Sequence, residues 1–428
     1  MASSTVANHD LREPHGSPWP HYSLIALQFC LLAGPPFRYR RAVAIIGTIA
    51  LMTQCWLHPN FSSDFDVAQP FSLTWSIYLT TLEKLVLIPS TATTEMSFWR
   101  SDMPAREATA YASFGVRKIR WALVLMFNMR GVRWNYEVKN VPKMPDALIQ
   151  SRARFLLHRT IAAVYYLLMA DLAGQTALQV FYTNEVTLLR GDVDSKLLTI
   201  RDERSVVWSF VRALTFAVQP YYIIQVQYSV SSIIAVITGM SRPADWPGSF
   251  GRLSETTTLR VFWGKYWHQT LRRLFHAWTS AFRDACGMKP GTWQSRYTQL
   301  WLSFVISGIG HAASMLILPS PSNITIEERT VGLLCFFVWQ AAAITFEDGV
   351  KHIWRHWLGG PTGENGYAVR LLGYTWVVGT LWYSIGWAGG VYLRMRLGEQ
   401  PLFPVTLSGA LLQEWVPQLR NYAVSRRT

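Results

Sequence analysis

The chain has 428 residues, 50% of them hydrophobic and only 15% charged, with a mean hydropathy of +0.13. Soluble domains carry about 25% charged residues, so this balance excludes a disordered chain and argues against an ordinary cytosolic enzyme. Lys and Arg (40) exceed Asp and Glu (26) by +14; with no helix-turn-helix, zinc-finger or RNP-like signature, the excess reads as positive-inside topology and anionic partners, not nucleic acid.

Residues 1–20 are polar, lack a basic leader and read as a disordered tail. Residues 21–428 read as one membrane-embedded domain. Apolar runs follow at 22–34, 43–56, 71–89, 155–181, 205–240, 299–318, 330–346 and 371–392, with a last run at 402–416 broken by Pro404. A span needs about 20 apolar residues. The pattern therefore predicts an all-α, polytopic transmembrane protein with roughly eight to ten membrane segments. The run at 205–240 is longer than one straight helix needs, and Pro220 marks the expected break. Two basic polar segments, 90–154 and 241–298, join Arg38, Arg40 and Arg41 on the cytosolic side if 205–240 crosses once. The sequons at Asn60 and Asn323 then face the lumen. Cys30, Cys55, Cys286 and Cys335 form no CxxC pair and read as buried free thiols.

Three stretches carry chemistry. In WLSFVISGIGHAA, His311 lies inside an apolar helix, where an ionisable group is costly and marks function by default. Ser307 is one turn earlier on the same face, and Gly308 and Gly310 allow close approach. An interhelical hydrogen-bonding histidine explains these residues equally well. In FWGKYWHQTLRR, Trp263 and Trp267 are four apart, as are His268 and Arg272. That spacing describes an interfacial helix, aromatic on one side and basic on the other. In RGVRWNYEVKNVP, Arg130, Arg133 and Lys139 suit a phosphate-bearing ligand or a loop facing anionic lipid.

Weaker candidates surround these. Asp171 reads as a structural hydrogen-bonding group rather than a proton relay. Glu347 and Asp348 close a helix and are placed to orient a neighbour. His352 and His356 have metal-ligand spacing without an evident third ligand. Asp192 and Asp194 are too sparse for a diphosphate site. No metal is expected.

In order, FWGKYWHQ and, about 40 residues later, SGIGH resemble the membrane-bound O-acyltransferase superfamily, most closely its wax-synthase-like branch. RGVRWNYEVKNVP and FFVWQAAAITFED resemble the fungal terpenoid and meroterpenoid O-acetyltransferases of that branch. The resemblance covers 130–348. It implies acetyl transfer from acetyl-CoA, a cosubstrate and not a bound cofactor, to a hydroxyl of a hydrophobic terpenoid. It makes His311 the general base. His268 falls at a position that is Asn or His in the family, and it assists by positioning or by stabilising the oxyanion. Arg130, Arg133, Lys139 and Lys265 become donor-phosphate contacts. Trp263, Trp267 and Ser307 become substrate contacts. Lys265-Tyr266 departs from the Arg-Arg or Arg-Phe often found there. The implied setting is multi-pass, in the endoplasmic reticulum, with acyl-CoA, a hydrophobic alcohol and the bilayer as partners. Two other readings compete: a long-chain wax or sterol ester synthase, and a proton-coupled transporter using Asp171 and His311.

Overall fold

A computed structural model describes residues 11–183, 200, 205–357, 366–399, 406 and 408–425. Asp192, Asp194 and Pro404 lie outside the described residues. The helices run in chain order as α1 (Trp19–Ala33), α2 (Arg40–Leu57), α3 (Phe65–Ser72), α4 (Thr74–Val86), α5 (Thr94–Ser97), α6 (Val116–Phe127), α7 (Asp146–Gln150) and α8 (Arg152–Ala177). They continue as α9 (Val206–Ile237), α10 (Leu259–Val261), α11 (Arg272–Ala285), α12 (Trp293–Ile317), α13 (Ile326–His356), α14 (Tyr367–Arg394) and α15 (Gly409–Ser425). Among the described residues there is no strand, only isolated bridges between Leu11 and Pro321 and between Arg100 and Trp134.

The all-α expectation is met. Four helices are long and apolar enough to cross a membrane: Arg152–Tyr182, Val206–Ile237, Trp293–Ile317 and Ile326–His356. The other apolar runs within the described residues are helical too, but several fall short as spans. α1 has 15 residues and α4 has 13, below the roughly 20 a straight crossing needs. Most of α4 is buried against its neighbours, so its apolar residues serve packing rather than lipid contact. α8 and α9 behave oppositely. Only 28% and 22% of their apolar windows are buried, and Leu157, Ile161, Leu168, Leu214 and Ile234 point outward. Cys30 and Cys335 are exposed on their apolar helices, and Cys286 is exposed as well; only Cys55 is the buried thiol expected of all four.

Pro220 does not break its helix. α9 runs unbroken through it for 32 residues, about 48 Å at 1.5 Å per residue. Proline is tolerated inside apolar helices where neighbours absorb the lost bond. α8 and α9 pack as an antiparallel pair. Arg152 at the start of α8 donates to the carbonyl of Ile237 at the end of α9 (2.7 Å), and Arg120 donates to Met240 (2.9 Å). The two basic segments therefore meet at one end of the bundle. Asp102 and Asp245 bridge them: Arg133 and Arg242 pair with Asp102 (2.9 and 3.1 Å), and Arg100 pairs with Asp245 (3.1 Å).

α12 and α13 form a hairpin, α14 packs on α13, and α9 packs on α14. Thr325 caps α13 with a reciprocal bond from Glu328, which fixes two otherwise orphaned N–H groups. α1, α2, α4 and α6 form a second bundle, joined to α12 through α3, α4 and α11. At the end opposite the basic segments, Arg12 binds the carbonyl of Ile324 (2.9 Å) and the backbone N–H groups of His15 and Gly16 bind that of Asn60. Residues 11–16 of the expected tail thus lie across the loops that carry both sequons. Asn60 is buried there, its amide donating to Glu13 (3.1 Å), while Asn323 is exposed.

Candidate active site

His311 sits on α12 where the two bundles join. The ring of Phe337 on α13 lies 4.7 Å from its own, centre to centre, and Trp75 on α4 meets it edge-on at 5.8 Å. Its Nδ1 is 2.8 Å from the backbone carbonyl of Ser307. A carbonyl oxygen only accepts, so Nδ1 carries the proton and Nε2 keeps its lone pair. The Ser307 hydroxyl lies farther off, at 3.4 Å. The two glycines have distinct neighbours. A Cβ on Gly308 would meet Leu334, and one on Gly310 would lie 2.4 Å from Cζ2 of Trp75. Only a glycine lets that indole lie on the helix.

The FWGKYWHQ stretch is not one amphipathic helix. Phe262–Tyr266 winds as a π-turn, and the regular helix α11 starts only at Arg272. Such turns recur at functional sites. The reason lies in its caps and anchors. Thr258 caps α10 through the N–H of Val261 (3.0 Å). Glu347 of α13 reaches across to accept from the N–H of Leu259 (2.7 Å) and from Trp376 (3.1 Å). Asp348 holds Arg260 and Tyr297. At the far end Gln269 donates to the carbonyl of Trp263 (3.2 Å), and Arg272 binds the carbonyl of Gly264 and the side chain of Gln269. The segment is pinned at both ends to α13 and α11, so Glu347 and Asp348 orient a neighbour as their position suggested.

Trp263 lies within the fold, against Phe304, Phe336 and Phe337, and donates to Gln340 (3.2 Å). Gln340 in turn donates to Ser384 of α14 (2.9 Å). Trp267 lies 6.0 Å from Trp263 and 5.5 Å from His268. The rings of His268, Trp267, Trp263, Phe337 and His311 thus form a continuous aromatic path. His268 faces Phe250 edge-on, and its Nδ1 is buried without a partner. Burial above all, with the Arg130 charge adding, pushes this imidazole down to about 4, so it is neutral at cellular pH.

The basic candidates divide. Arg130 is buried and donates to the carbonyl of Gly248 (2.7 Å) and to the hydroxyl of Tyr228 (2.6 Å). It ties the 130–142 loop to the segment before the π-turn. Arg133 belongs to the Asp102 cluster. Lys139 and Lys265 are exposed and pair with no carboxylate among the described residues. Asn140, next to Lys139, donates to the carbonyl of Gly264, next to Lys265 (3.2 Å), so these two cations belong to touching loops.

Other groups lie apart from this centre. Asp171 accepts from Ser408 (2.8 Å) and Thr406 (3.2 Å), a structural role. His352 and His356 stack on each other at 4.3 Å. Among the described residues no group of three or more His, Cys, Asp or Glu could hold a metal. Sequence reasoning placed a segment at 71–89 but named no site residue on α4. Glu83 there pairs with Arg273 of α11 (3.0 Å), the residue after Arg272. The charged pair Glu83-Lys84 inside the run 71–89 was the available signal. Trp75 gave none, because its partner is 236 positions away in sequence.

Residues 246–339 match the family model described as membrane bound O-acyl transferase, a stretch that contains His268 and His311. Residues 151–237 match the C-terminal domain of aspirochlorine biosynthesis protein F. That protein, from Aspergillus oryzae, is 42% identical over 241 residues, 56% of this chain and 92% of its own length. The chain belongs to the membrane bound O-acyl transferase family. Acetyltransferase ple2 of Rhodocybe pseudopiperita is 28% identical over 71% of this chain and 74% of its own. Acetyltransferase eriL of Hericium erinaceus is 26% identical over 93% of this chain and 97% of its own. No solved structure matches. The protein is a membrane acyltransferase, and such enzymes take an acyl-CoA donor and an alcohol acceptor.

Proposed function

We propose that this acyltransferase moves an acetyl group from acetyl-CoA to a hydroxyl of a hydrophobic terpenoid or meroterpenoid in a secondary-metabolite pathway, with His311 as general base. The carrying observation is the bond from His311 Nδ1 to the Ser307 carbonyl, which leaves Nε2 as the proton acceptor in an apolar setting. Nε2 takes the hydroxyl proton as the oxygen attacks the thioester carbon. The C–O bond forms, the C–S bond breaks, and the imidazolium returns the proton to the departing thiolate. Ester and coenzyme A leave. Neutral His268, at the other end of the aromatic path, positions the donor or stabilises the oxyanion.

Lys139 and Lys265 meet the donor phosphates from the cytosolic side. Arg130 and Arg133 act there through the cradle they brace, since both already hold carbonyl, hydroxyl or carboxylate partners. Trp263, Trp267 and Ser307 line the acyl and acceptor path. The alcohol arrives through the bilayer, and the membrane is that of the endoplasmic reticulum. Relatives named acetyltransferases support the short acyl group.

The test uses yeast microsomes carrying the wild type or His311→Ala. Each receives acetyl-CoA or palmitoyl-CoA with a panel of hydroxylated terpenoids and fatty alcohols, read by mass spectrometry. Acetyl ester from the wild type alone supports the proposal. Palmitoyl ester in preference to acetyl ester transfers it to a wax-synthase activity. Equal acetylation by both proteins removes His311 from the chemistry.

A further inference from the structure

We propose that Trp75 completes the reaction centre, its indole N–H donating a hydrogen bond to the acyl oxygen of the donor thioester opposite His311. This rests on the reading of His311 as the base. Trp75 is only 3% exposed, yet its Nε1 has no hydrogen-bond partner. A buried donor without an acceptor is costly, about 1–3 kcal/mol, and each such group calls for a reason. Trp134 and Trp339 share the deficit, but their ring partners lie elsewhere: Trp121 and Tyr136 for one, Tyr383 and Trp387 for the other. Trp75 is the member of this group whose ring meets His311.

The orientation fits as well. The edge of the indole resting on Gly310 runs through Cε2, Cζ2 and Cη2. Cε2 is the carbon bonded to Nε1, so the N–H lies beside Gly310, the residue before His311. The imidazole supplies the proton acceptor and the indole supplies a donor, on rings 5.8 Å apart. As the hydroxyl oxygen bonds to the thioester carbon and loses its proton to Nε2, the C=O electron pair moves to the acyl oxygen. That oxygen takes the hydrogen bond, then re-forms C=O as the C–S bond breaks. Trp75 keeps its proton throughout. The N-terminal bundle thereby contributes a catalytic group to a centre otherwise built from the FWGKYWHQ segment, α12 and α13.

The test is difference infrared spectroscopy of [1-13C]acetyl-CoA bound to the purified protein in lipid nanodiscs. Wild type, Trp75→Phe and His311→Ala are compared. Trp75 is also replaced by β-(3-benzothienyl)alanine, which keeps the shape and lacks the N–H. Hydrogen bonding lowers the carbonyl frequency. The bound band should lie below that of free donor in wild type and His311→Ala, and return toward it in both Trp75 variants. Turnover with an alcohol from the microsome panel should fall about 100- to 1000-fold in the Trp75 variants, as for loss of one oxyanion donor, with KM for acetyl-CoA within a few-fold. A benzothienyl variant that melts like wild type and keeps its band or its turnover overturns the proposal. So does a wild-type band at the free frequency. If the band follows Trp75 while His311→Ala stays active, the base assignment falls and the indole donor stands.

Discussion

Asn140 donates its side-chain amide to the carbonyl of Gly264 at 3.2 Å, across 124 positions of sequence. The bond joins the loop of Lys139 to the turn of Lys265 and sets the spacing of these two exposed cations. One such bond contributes about 1 kcal/mol, which converts to roughly fivefold in affinity. Asn140→Ala should therefore raise KM for acetyl-CoA about fivefold while kcat changes little. Steady-state kinetics in microsomes decides it, and an unchanged KM would separate these loops from donor binding.

His311 is held by the carbonyl of Ser307, not by its hydroxyl, since 2.8 Å is a full hydrogen bond and 3.4 Å a weak one. Removing the hydroxyl should leave the tautomer intact. Ser307→Ala is expected to keep turnover within about tenfold, whereas His311→Ala should lose a general base worth about 100- to 10,000-fold. A loss in Ser307→Ala as deep as that in His311→Ala, with acyl-serine trapped by mass spectrometry, would instead point to a covalent step.

Burial holds His268 down to about 4, against an unfolded value near 6.5. The unfolded chain thus binds this proton more readily than the folded one between those two values. The stability contribution is whole above about pH 6.5 and is lost as the pH falls toward 4, on the order of 1–3 kcal/mol. His268→Asn carries no titrating group there. Its melting temperature in detergent should fall less than that of wild type between pH 7 and pH 4.5; parallel curves would contradict the assignment.

Glu347 holds the entrance to the π-turn through Leu259 and Trp376. It is 6% exposed, so alanine takes the acceptor from the Leu259 and Trp376 donors and from Lys351. A cost of about 2–4 kcal/mol follows. Glu347→Gln keeps one acceptor oxygen and should lose less than half as much. Thermal unfolding of both variants measures the difference, and the alanine variant should lose turnover as the FWGKYWHQ segment loosens.

Much of this molecule was legible in the chain, because apolar runs and rare polar groups within them are local signals. Those runs within the described residues became helices, and His311, Trp263, Trp267 and His268 fall along one aromatic path. What stayed hidden depends on pairing over distance. Nothing near Arg130 announced that Tyr228 and Gly248 would hold it, so a ligand contact and a brace looked alike. The π-turn was concealed because Trp263, Trp267, His268 and Arg272 fit α-helical spacing equally well; only anchors from α13 and α11 decide otherwise. Pro220 misled because a breaker in water is an accepted member of an apolar helix. Trp75 was invisible as a candidate, since the second bundle reaches the centre only through tertiary packing, whereas Glu83 in an apolar run was a signal left unread.

The unbroken path of α9 through Pro220 settles a question of parity. Between the loop of Lys139 and the turn of Lys265 the chain leaves one end of the bundle and returns to it, an even number of passages. One extra passage would place Lys139 and Lys265 on opposite faces of the bilayer. On the proposed reading of Lys139 and Lys265 as donor contacts, even parity lets a single compartment supply both.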